Sequence, residues 1–268
     1  MTPIRTWPKH VCGLCLILLS FVGGYFMPHG TPDWWGVEPT STVHQVQDAG
    51  ELAARLGSPD TYDRRGNVVW IDSFGHGLAA WKLGGNGTGY SAVLSSARAY
   101  FAPYSVHLTG GSTGTYEANM FRRSPSQAAS KLGLEVAWNV GATPVYVQAH
   151  LSYYDGAYAH VFRIRWNSVD NDLEYLDANQ VWQDLDTDYQ VMVESAAWSI
   201  FKVVGDPSID EYVRVLAGKD EYALAGIPCW VPASAVYPSI YAGVVVYTTS
   251  GHNGHVYVGH VILTQNEP

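Results

Sequence analysis

Apolar and polar positions alternate with a period of two along most of the chain from Val68 onward, which is the pattern of half-buried strands. The clearest stretch is TPVYVQAHLSYYDGAYAHVFRIRW, residues 143–166. Asp155-Gly156 at its centre is a hairpin turn signal, because a two-residue type I′ turn needs positive φ at both central positions. Placing that pair at the turn sets Tyr153 opposite Tyr158, Leu151 opposite His160, Ala149 opposite Phe162, Val147 opposite Ile164 and Val145 opposite Trp166. That face is apolar except for His160. The other face pairs Tyr154 with Ala157, His150 with Val161, Gln148 with Arg163 and Tyr146 with Arg165. A slip of one residue would mix the two faces.

Further strands follow in the same style. LEYL and VWQDL are joined by a turn at Asp177–Gln180, and YVRVLA and EYAL by a turn around Gly218. YAGVVVYT and HVYVGHVIL read as a hairpin through SGHNG. Many short strands at this spacing predict an all-β fold, an antiparallel sandwich or barrel of residues 68–268. One short helix precedes it, at Asp48–Leu56. Asp48 and Glu51 form a capping box there, and Ala49, Leu52, Ala53 and Leu56 share one face. A helix of that length needs something to dock on. Residues 31–67 otherwise read as an extended arm, with Trp34 and Trp35 packed on the domain or offered to a partner.

Composition agrees with strands. The chain of 268 residues holds 18 Tyr, 10 Trp and 27 Gly with only 15% charged residues, which favours strands and tight turns over helices. Its net charge of −9 argues against a nucleic-acid partner. Of the three cysteines, Cys229 stands alone and Cys12 and Cys15 lie in an apolar run, so no disulfide framework is expected. Cys12-x-x-Cys15 lacks the second pair that a zinc site needs.

Arg5 and Lys9 precede the apolar run Val11–Phe26, which has the length of a signal peptide and is short for a spanning helix. Residues 1–30 are therefore a signal, an anchor or an upstream extension of a chain starting at Met27. A membrane enters the picture only if residues 11–26 are a real anchor.

IDSFGHGLAAW near the start and VYVGHVILTQNE at the end resemble the first and last strands of jelly-roll domains of the concanavalin A-like, laminin-G-like and carbohydrate-binding-module kind. Such domains often open with Asp-x-Phe-Glu-x-Gly-x-x-x-Trp and close with Val-Asp-Asp-Val. WSIFKVVGDPSIDEYVRVLAGKDEYALAG is similar to their strand–turn–strand run. The resemblance implies an antiparallel jelly-roll β-sandwich and indicates architecture far better than function. In many such modules the opening Glu and closing Asp help to hold a structural calcium. Here those positions are Gly75, followed by His76, and Gly259-His260. Calcium wants oxygen ligands, so neither a metal nor any other cofactor is expected, and Asp72 alone would bind calcium poorly.

Motifs with chemical spelling are weak. Gly110–Gly114 spells G-x-S-x-G, but the flanking segments are strand-like, so Ser112 reads as part of a hairpin loop rather than a nucleophile elbow. Asp170, Asp172 and Glu174 would share a face on a strand, as the carboxylates of sandwich-fold glycosidases do, yet DNDLE reads better as a solvated turn. His260 shares parity with Val256, Val258 and Ile262, while His255 points away. With His252 they converge on a metal only if a bulge intervenes. Asn86–Thr88 spells a glycosylation acceptor, which matters only in a eukaryotic secretory context.

No catalytic set assembles, so the chain reads as non-enzymatic. The non-core hairpin face carries Tyr146, Gln148, His150, Tyr154, Arg163 and Arg165. Rings cover the apolar face of a sugar, and amide or guanidinium groups bind its hydroxyls. The expected function is a non-catalytic carbohydrate- or surface-binding module, with a glycan or surface polymer as partner. The alternatives are a structural subunit of a virion, fibre or surface layer, assembled from copies of itself, and a glycoside hydrolase acting through Glu174. Each fits an extracellular, cell-surface or virion-associated location. An ordinary solvated sheet face, or one covered by the N-terminal helix, is the plain competing reading of the same six residues.

Overall fold

Alternation does produce strands, and only strands, among the described residues. The computed structural model describes residues 66–100, 103–111, 113–125, 130–193, 196–248 and 254–268. The expected helix at Asp48–Leu56, the arm, the apolar run at Val11–Phe26, Ser112 and His252 lie outside them. The first strands are β1 (Asn67–Asp72), β2 (Lys82–Thr88), β3 (Ser91–Ser95), β4 (Ser105–Thr109) and β5 (Thr113–Pro125). Next come β6 (Leu132–Ala142), β7 (Tyr146–Tyr154), β8 (Ala159–Asn167), β9 (Asp172–Leu176) and β10 (Trp182–Asp186). The last are β11 (Ser199–Asp206), β12 (Glu211–Ala217), β13 (Asp220–Pro228), β14 (Ser239–Thr248) and β15 (His255–Gln265).

They form two antiparallel sheets of a jelly-roll β-sandwich. The first runs β13-β12-β11-β6-β15-β4-β3, with β1 also paired to β15; the second runs β10-β9-β8-β7-β14-β5-β2. The core lies between them. Leu134, Val136 and Trp138 of β6 and Val256, Val258, Val261 and Leu263 of β15 face Val147, Ala149 and Leu151 of β7, Phe162 and Trp166 of β8, and Val244 and Val246 of β14. The opening strand β1 lies against the closing strand β15.

Hairpins β7/β8, β9/β10 and β12/β13 form where expected. The β7/β8 register differs by two residues from the two-residue turn. Tyr154 pairs with Ala159, Tyr153 with His160 and Leu151 with Phe162, so the loop is Asp155–Tyr158. The cause is the Asp155 side chain. Its Oδ1 accepts from the amides of Ala157 (2.7 Å) and Tyr158 (2.6 Å), which holds a wider loop than the dipeptide alone dictates. A shift of two keeps every side chain on its expected face.

Two other expected hairpins are not hairpins. β14 belongs to the second sheet and β15 to the first, and β4 and β5 are likewise split between the sheets. The described ends of the two connections brace one another. Gly110 N–H donates to Gly254 O at 3.3 Å, and Thr248 Oγ1 donates to Gly111 O at 3.1 Å. Strands that read as neighbours in sequence are thereby assigned to opposite layers.

Candidate functional site

The outer face of the second sheet gathers the residues singled out on the hairpin and adds others. On β7, Tyr146, Gln148, His150, Ser152 and Tyr154 alternate with core residues, and β8 adds Arg163 and Arg165. His150 lies opposite Arg163 and Gln148 opposite Arg165. On the other flank of β7, Tyr247 pairs with Tyr146, Gly243 with His150 and Tyr241 with Ser152. Beyond β14, β5 places Glu117 by Tyr247, Phe121 by Gly243 and Arg123 by Tyr241, and β2 sets Lys82 by Phe121.

Two aromatic pairs stand over this surface. Tyr146 and Tyr247 stack with centroids 4.9 Å apart and planes 5° off parallel, and Phe121 and Tyr241 stack at 4.5 Å and 13°. Between them the floor is polar and recessed. Gln148 and His150 are buried, with His150 Nε2 2.8 Å from Ser152 Oγ. Gly243 makes room there, because a Cβ would lie 2.4 Å from the Phe121 ring and 2.2 Å from Met120 O. The His150 ring meets Phe121 edge-on at 5.4 Å and Tyr241 edge-on at 5.8 Å.

The arginines differ in their surroundings. Arg165 lies over Trp182 at 4.1 Å and Tyr146 at 5.2 Å, and holds Glu174 through Nε at 2.5 Å and Nη2 at 3.1 Å. Arg163 lies over Trp230 at 5.7 Å, and its Nε is buried without a hydrogen-bond partner. Arg123 is exposed and lies 5.2–5.3 Å from the rings of Tyr154, Tyr237 and Tyr241. A cleft of about 530 Å³ opens beside it, lined by Trp81, Lys82, Phe121, Arg123 and Tyr241 among others.

Burial, reinforced by the Arg163 charge, lowers the His150 pKa well below the usual histidine range, so its ring is neutral at physiological pH. Burial pushes the Tyr146 phenol up to about 12. The His150 shift has a stability consequence. Below about pH 6.5 the unfolded chain takes up a proton that the native ring refuses, so the unfolded state binds more protons and stability falls with falling pH. Urea unfolding at about pH 7.5 and about pH 5.5 should show a steeper loss in the parent than in His150→Gln. The difference should reach at most about 1.4 kcal/mol per pH unit. Equal slopes would place a charged ring in the native site.

Other motifs settle into structural roles. Glu174 is not in a solvated turn. It lies on β9, is 6% exposed, and has both oxygens on Arg165, so it is not the free acid a glycosidase needs. The turn proper ends at Asn171, whose φ is +62°. Asp72 Oδ1 accepts from the Phe74 amide and Oδ2 from the Trp81 indole N–H, both at 2.8 Å, and the carboxylate lies 3.7 Å from Arg122. A register shift between Val258 and His260 turns His260 away from the core, to the side that His255 occupies. There His260 Nε2 lies 3.1 Å from Glu135 Oε1, while His255 packs on His107 at 4.8 Å. Among the described residues no three His, Cys, Asp or Glu side chains are placed to hold a metal ion. Burial pushes the Cys229 thiol up to about 12, which removes it as a nucleophile.

Phe121, Arg123, Tyr241, Tyr247 and Lys82 were not foreseen as partners of the hairpin face. The signal was present in EANMFRR, where Glu117, Asn119, Phe121 and Arg123 alternate with Ala118 and Met120. What sequence lacked was the pairing that brings β5 and β14 beside β7.

The chain matches no protein family and no curated protein. Several solved structures are similar to it. The cellulose induced protein Cip1 is 15% identical with a TM-score of 0.48, covering 72% of this chain and 96% of that one. The exoplasmic/lumenal domain of VIP36 is 11% identical with a TM-score of 0.43, covering 70% and 84%. The CBM22-1 xylan-binding domain of Paenibacillus barcinonensis Xyn10C is 11% identical with a TM-score of 0.40, covering 77% and 99%.

Proposed function

We propose that this chain is a non-catalytic carbohydrate-binding module and that the outer face of the second sheet is its binding surface. One observation carries the reading: the aromatic pairs Tyr146/Tyr247 and Phe121/Tyr241 flank a floor bearing Gln148, His150 and Arg163. Sugars need that combination, with apolar ring surface for their C–H faces and planar donors and acceptors for their hydroxyls. The six hairpin residues expected at the site thus form one half of it, and β5, β14 and β2 supply the other. A glycan-binding module fits an extracellular or cell-surface location, where polymeric glycans are met.

A polysaccharide panel in affinity gels, followed by calorimetry on retained polymers, tests the reading. Tyr241→Ala should weaken binding about tenfold or more, because it removes one ring of the Phe121 pair and the lip of the cleft. Retained polymers should keep their chain length on prolonged incubation. Depolymerisation would overturn the non-catalytic assignment, and a fixed multimer that ignores every glycan would favour a structural subunit.

A further inference from the structure

We infer that the glycan held by this face is anionic, bearing carboxylate or sulfate groups that meet Arg163 and Arg123. The inference rests on the carbohydrate reading above and adds the charge of the sugar. The chain as a whole is acidic, with 24 Asp and Glu against 15 Lys and Arg. The described outward positions of β2, β5, β14, β7 and β8 reverse that balance. They carry Lys82, Arg123, Arg163 and Arg165 against Glu117 alone. Arg165 is neutralised from β9 by Glu174, and Glu117 is occupied by the Asn119 amide at 2.6 Å. Asp172 and Asp184 lie on β9 and β10, past the Arg165–Glu174 pair, and bound the basic zone on that side.

Arg163 is the pointed case. It sits in the middle of the face between His150 and Trp230, half-buried, with its Nε enclosed and unpartnered and no ion pair among the described residues. Tyrosines, with Glu117 behind them, make up its electrostatic surroundings. A guanidinium with part of its donor edge enclosed and no counter-ion costs stability, and a purely structural role would be served better by an apolar or neutral side chain. Its fork matches the paired oxygens of a carboxylate or sulfate. Arg123 and Lys82 border the cleft toward the other edge of the same sheet face and extend the positive zone across it. A neutral sugar uses the rings equally well and gives these three cations nothing to neutralise.

Matched polymers test the inference with the full chain. Polygalacturonate is compared with its carboxyl-reduced neutral form, and dextran sulfate with dextran, by calorimetry at about 0.05 M and about 0.5 M NaCl. At least one charged member should bind about tenfold or more tighter than its neutral twin, with the advantage shrinking at high salt. Retention of the polyuronate alone assigns carboxylate, and of dextran sulfate alone assigns sulfate. Arg163→Gln should collapse the charged-to-neutral ratio toward one, and Arg163→Lys should restore part of it. Arg123→Gln, at an exposed position, reports the same loss should Arg163→Gln fail to fold. Equal affinity for charged and neutral twins overturns the inference and leaves the carbohydrate reading standing. Binding to no glycan of the panel or of these pairs removes both.

Discussion

Trp138→Ala is expected to lower stability by about 3–5 kcal/mol, the range for truncating a fully buried Trp. Trp138 is 0% exposed and lies where the two sheets meet. It comes from β6 of the first sheet and touches Trp166 of the second at 5.6 Å and Phe201 of its own at 4.8 Å. Removing it opens a cavity at the centre of the interface, where neither sheet can close without breaking its own ladder. Trp138→Phe should cost far less. The indole N–H of Trp138 is buried without a partner, so phenylalanine discards an unsatisfied donor while keeping most of the ring. Chemical denaturation of the three proteins measures both numbers. A Phe variant as unstable as the Ala variant would mean that the indole N–H has a partner that matters.

Legibility follows the range of each interaction. The faces of β7 and β8 were readable because alternation and a turn signal are local and agree. Their register was not, because Asp155 captures two amides and widens the loop, a side-chain effect that the Asp-Gly spelling does not encode. The faces survived because the shift was even. The side of His260 on β15 was misassigned for the opposite reason. The register shift at Gly259 is odd, and Gly259 is glycine because Tyr100 and Trp198 crowd the space a Cβ would take. Half of the candidate site was hidden for a third reason. β14 reads plainly as a strand, yet its partners are β5 and β7, both distant in sequence, while its neighbour in sequence, β15, lies in the other sheet. Only that pairing brings Tyr241 and Tyr247 beside the hairpin. No periodicity reports which layer a strand joins.

Glu267→Ala is expected to destabilise the fold by about 3–5 kcal/mol through charges rather than volume. The Glu267 carboxylate is 0% exposed and joins Lys202 Nζ at 2.8 Å, itself 2% exposed, and Arg214 Nη2 at 2.9 Å. Thr264 Oγ1 donates to it at 2.5 Å, and the main chain holds it in place, its amide donating to Lys131 O at 3.2 Å. Gly66 and Gly133 provide the space, since a Cβ at either would meet Oε1 at 2.6 Å or 2.9 Å. Alanine leaves the buried Lys202 without its carboxylate and Arg214 with only the exposed Glu221 at 3.7 Å, which is the costly way to break such a network. Glu267→Gln keeps the shape and one acceptor and should fall between parent and Ala. Lys202→Met should cost less than Glu267→Ala, because it leaves the buried Glu267 carboxylate paired with Arg214 and puts an unbranched apolar chain in the space of the lysine stem. The order Ala, then Gln, then Met in decreasing cost is the signature of charge balance. If Lys202→Met proved as damaging as Glu267→Ala, the packing of the lysine stem would account for the site and the network would be incidental to stability.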